Sequence, residues 1–102
     1  MTVEVISMSP FVVWKGIKGR LVQLVALQVR FNTTKEGITK KALRGLLKDS
    51  IKNILTDMAR LSEQIDNNLG VERDKSRINL LLSLKREVST VKTNWADTQG
   101  KV

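Results

Sequence analysis

The sequence predicts a mainly α chain of the α+β class. A long antiparallel helical hairpin (39–96) follows an N-terminal β-hairpin and linker (1–38), and a flexible tail (97–102) closes one compact domain. Three observations carry this. Leu47, Ile51, Ile54, Met58, Leu61 and Ile65 recur at steps of four and three, the seam of a helix packed on a helix. Leu81, Leu84, Val88, Val91 and Trp95 repeat those steps in a second helix. The first 32 residues are instead rich in β-branched side chains, with an alternating stretch at their end.

Thr2 to Trp14 reads as strand, interrupted at Pro10, which cannot donate to a ladder and so belongs at an edge or bulge. Lys15-Gly16-Ile17-Lys18-Gly19-Arg20 then reads as a turn. Val25, Leu27, Val29 and Phe31 alternate with Ala26, Gln28, Arg30 and Asn32, a period of two, and this gives a β-hairpin over roughly 2–32. A helix over 18–31 competes, because Leu21, Leu24, Val25 and Gln28 also share a helical face. A lone hairpin with apolar groups on both faces needs cover from the helices or from another copy, so self-association is expected.

Asn32 to Gly37 forms a linker, and Thr39 caps the first long helix. Gly45 near its start costs roughly 1 kcal/mol against Ala. Asp66-Asn67-Asn68-Leu69-Gly70 supplies residues that tolerate a left-handed backbone, placing the reversal there. The second helix begins near Glu72, whose charge and that of Asp74 suit a helix N-terminus, and it ends near Trp95, leaving 97–102 frayed.

Eighteen Lys and Arg against ten Asp and Glu give 102 residues a net charge of +8 and favour polyanionic partners, nucleic acid first. Counted by segment, 1–38 holds five basic and two acidic residues, and 39–65 and 72–96 each hold six and three, an even spread. The chain has no Cys, no His and few aromatics, which removes thiolate chemistry and Cys/His metal sites and leaves few rings for stacking bases. No phosphate-binding Gly-Lys-Ser/Thr loop and no paired carboxylates are present, so neither an enzyme nor a cofactor is expected. The longest apolar-rich run, Leu21 to Phe31, is too short and too polar to span a bilayer. Without a signal-peptide pattern, a cytoplasmic or virion-internal location is the expectation.

Lys41, Arg44, Lys48 and Lys52, at steps of three, four and four, stripe one side of the first long helix, with Arg60 somewhat off the line. Such a ladder can follow a phosphate backbone, although Lys and Arg flanking a helix seam also serve solvation alone. The Lys15, Lys18 and Arg20 tip is a second candidate contact. Its Gly16-Ile17-Lys18-Gly19 matches the GxxG of KH loops in letters, but its strand-like flanks suit a hairpin tip better. Trp95 is expected to anchor the seam, while Trp14 is balanced between core and stacking roles.

In outline the pattern resembles unrelated groups of small basic helical-hairpin proteins: insect-virus silencing suppressors that grip double-stranded RNA, small helical subunits of CRISPR effector complexes, and hairpin dimers that bind RNA. That likeness of architecture assigns no residue. The expected function is non-catalytic nucleic-acid binding within an oligomer or larger nucleoprotein complex, with RNA slightly ahead of DNA because nothing in the chain reads bases. The alternative is a self-assembling structural subunit of a virion, filament or secretion apparatus whose charge is incidental.

Overall fold

In the computed structural model, which describes residues 9–102, the chain forms three helices: α1 (Pro10–Thr33), α2 (Ile38–Val71) and α3 (Lys75–Lys101). They run up, down and up through short turns. α2 lies against both neighbours, and α1 and α3 meet far less extensively. The bundle is therefore elongated and thin, 55 × 29 × 17 Å.

The β-hairpin expected over 2–32 is not seen: from Pro10 onward the chain is α1, and residues 2–8 lie outside the described residues. Ser9 and Pro10 start the helix. The Ser9 hydroxyl accepts from the Phe11 amide at 3.2 Å, and Pro10 takes the first helical position, where a missing N–H costs nothing. Trp14, Ile17, Leu21, Leu24, Gln28 and Phe31 form a seam at steps of three and four, and Trp14, Ile17 and Leu24 are buried. Magnitudes explain why helix wins. Valine in a helix costs up to about 0.7 kcal/mol each against alanine, whereas burying each of those three side chains contributes about 1.5–3 kcal/mol. The helix ends where the Thr33 and Thr34 hydroxyls donate to the Val29 and Arg30 carbonyls, at 3.0 and 2.6 Å.

Gly37, not Thr39, caps α2, with no side-chain bond and φ 149°, a conformation open to glycine alone. The seam Leu43, Leu47, Ile51, Ile54, Met58, Leu61 and Ile65 is buried along its whole length. It meets α1 on one flank and α3 on the other, which makes α2 the central rod.

Asp66 to Gly70, expected to be the turn, continue α2 as helix to Val71. The reversal is Glu72-Arg73-Asp74 and needs no left-handed residue. The Glu72 carboxylate accepts from the Arg73 and Asp74 amides at 3.2 and 3.3 Å, and Asp74 caps α3 by accepting from the Ser76 amide at 3.0 Å. The tail expected over 97–102 is helical to Lys101, because Thr98 and Val102 extend the spacing of Val91 and Trp95 and Val102 packs against the core.

Among the described residues no helix is long and apolar enough to cross a membrane.

Candidate nucleic-acid interface

Folding separates the sequence's two basic groups. Lys41, Lys48 and Lys52 are exposed on one side of α2 over about 16 Å, at 1.5 Å per residue, and make no ion pair among the described residues. Arg44 turns inward from that line. Its guanidinium stands 5.4 Å from the Phe31 ring centre and 3.9 Å from the Glu36 carboxylate. Arg60 lies on the α1 side, lining a shallow groove with Arg20, Asp57 and Gln64.

Lys15, Lys18 and Arg20 are not a hairpin tip, because all three sit inside α1, with Arg20 on a different side from Lys15 and Lys18. Arg20 crosses to Asp57 of α2 at 2.5 Å. Lys18 lies 3.8 Å from Glu87 of α3 and 6.0 Å from the Trp14 ring centre. Lys15 is exposed. The segment cannot present three cations to one strand of phosphates. Trp14 is core, 3% exposed, and its indole N–H donates to Glu87 at 2.9 Å, so it is no stacking platform. Trp95 is half-buried against the core.

The fold also gathers charge that segment counts miss. Residues 24–54 are the α1 and α2 share of the end where α1 turns into α2, and they hold seven basic side chains against two acidic ones. Five of the eight net charges thus sit in 31 residues. Arg30 and Lys35 are exposed at this end, and Lys40 is half-buried. Lys40 lies 5.0 Å from the Phe31 ring centre and 3.5 Å from Glu36, so that ring and that carboxylate hold Lys40 and Arg44 in place. Sequence reasoning split this cluster by drawing a boundary at residue 38. A sliding charge window would have found it.

Elsewhere Lys85 pairs with Asp66 at 2.6 Å, while Arg73, Lys75, Arg77 and Arg86, with Glu72, Asp74 and Glu87 among them in sequence, make no ion pair among the described residues. No group of three His, Cys, Asp or Glu side chains that could hold a metal occurs among the described residues.

No family model, curated protein or solved structure matches the chain.

Proposed function

We propose that the chain is a non-catalytic nucleic-acid-binding protein that grips the phosphate backbone with the basic end of its bundle. The observation that supports this most is the set of three exposed lysines on α2, Lys41, Lys48 and Lys52, without acidic partners in a stretch, residues 24–54, where cations outnumber carboxylates seven to two. Arg30 and Lys35 add exposed charge at the same end, whereas Lys15, Lys18, Arg20 and Arg60 are set aside as contacts because they are engaged elsewhere or diverge. Recognition is by charge and shape, with RNA the first substrate to try, and the binding takes place within a larger complex.

Gel-shift titrations on duplex RNA and duplex DNA, across about 0.05–0.2 M salt, test the reading. Each phosphate contact contributes about 0.9 to the log–log salt slope on duplex DNA, so Lys41→Glu/Lys48→Glu/Lys52→Glu flattens the slope by nearly three and weakens binding on every sequence alike. Lys75→Glu/Arg77→Glu, at the opposite end, changes it far less. Equal losses from the two variants overturn the assignment.

A second reading, a structural subunit, draws on a different observation: large apolar side chains remain exposed on every helix, among them Phe11, Val22, Leu46 and Leu80.

A further inference from the structure

α1 carries two seams. One, from Trp14 to Phe31, is used by the core. The other, Phe11, Lys15, Lys18, Val22, Val25 and Val29, advances at steps of four and three over five turns, the spacing by which one helix meets another lengthwise. Its three valines are 71%, 47% and 55% exposed. Three β-branched apolar groups in line toward solvent are unusual on a helix that already has a full core face.

We infer that this outward seam of α1 is the docking face for an acidic amphipathic helix of a partner protein. Charge selects the occupant. α1 has four basic side chains and no acidic one, so a second copy meeting it seam to seam brings four more cations and no carboxylate to the contact. Nucleic acid has no use for the valines. A helix with apolar side chains at the seam and Glu or Asp on its flanks satisfies both halves, covering Val22, Val25 and Val29 while its carboxylates reach Lys15 and Arg30.

The molecule already contains one instance of this chemistry. Glu87 of α3 accepts the Trp14 indole N–H at 2.9 Å and lies 3.8 Å from the Lys18 ammonium. A helix bearing a carboxylate thus fits beside the first half of α1, and the valines continue the same seam beyond it.

The test uses the full chain and a labelled four-heptad peptide with Leu at the seam positions and Glu on the flanks, followed by fluorescence anisotropy at about 0.15 M salt. Two control peptides keep the length: Leu replaced by Ser with all Glu retained, and Glu replaced by Lys with all Leu retained. The Leu/Glu peptide binds, and both controls bind more than about tenfold more weakly. Val22→Asp/Val25→Asp loses binding to the same degree at unchanged helicity, since both residues are solvent-facing. Lys41→Glu/Lys48→Glu/Lys52→Glu retains it, which separates this face from the phosphate-binding end. Binding of the Ser peptide as tight as that of the Leu peptide reduces the effect to charge and overturns the inference. So does equal binding by the valine variant, or a wild-type dimer that the valine variant converts to monomer, which assigns the seam to a second copy.

Discussion

At the scale of single residues, the glycines divide into two kinds. Gly37 is the one described residue with positive φ, at 149°, and alanine there is strained by about 1–3 kcal/mol whatever space surrounds it. Gly19 and Gly45 sit inside helices, and an added Cβ meets nothing within 4 Å. Gly19→Ala and Gly45→Ala therefore each stabilise by about 0.5–1 kcal/mol, while Gly37→Ala destabilises. Urea titrations of the three variants check this, and a Gly37→Ala protein as stable as wild type contradicts the assigned backbone. Gly16 and Gly19 suggested a turn in the sequence because glycine punctuates more often than it continues. Nothing local distinguishes a glycine tolerated in a helix from one required in a loop.

At the scale of elements, α2 and α3 were legible because their seams are long and their period has no competitor. The boundaries were not, for a chemical reason. Asn67, Asn68 and Gly70 permit a helix to end but do not compel it, whereas Glu72 and Asp74 actively satisfy the loop amides and so fix the reversal. α1 was misread because Val25 to Phe31 fits both periods, and the deciding term was the apolar surface that α2 offers to Trp14, Ile17 and Leu24, which a local reading does not see. Caps then carry measurable weight. Ser9→Ala and Asp74→Ala each cost about 1 kcal/mol by removing the acceptor for the Phe11 or Ser76 amide. Thermal unfolding by circular dichroism reads the loss, and unchanged midpoints refute the capping roles. In the seam, Ile51 is 0% exposed, as is Ile65, and Ile51→Ala costs about 2–5 kcal/mol.

At the scale of the whole molecule, the candidate site was half visible in advance. Lys41, Lys48 and Lys52 were placed correctly on one side of a helix because a single helix sets their spacing. The contribution of Arg30 and Lys35, and the diversion of Arg44 toward Phe31, depend on α1 being a helix that returns to the same end. Concentrating like charge there opposes folding at low ionic strength. Added salt up to about 0.3 M therefore raises the melting temperature of the wild-type chain. Lys48→Glu melts higher than wild type in dilute buffer, and the difference shrinks as salt is added. A melting temperature indifferent to salt in both proteins contradicts a concentrated charge at that end.

The outer helices rest on a shared rod and touch each other through the Trp14 indole and Lys18, which both reach Glu87. That contact acts as a built-in gauge. Any event that spreads α1 from α3, whether docking along the valines or loosening of the bundle, exposes a buried chromophore and shifts its emission to the red. The spread can be followed in solution without attaching a dye, provided Trp95 is replaced by Phe so that one indole remains.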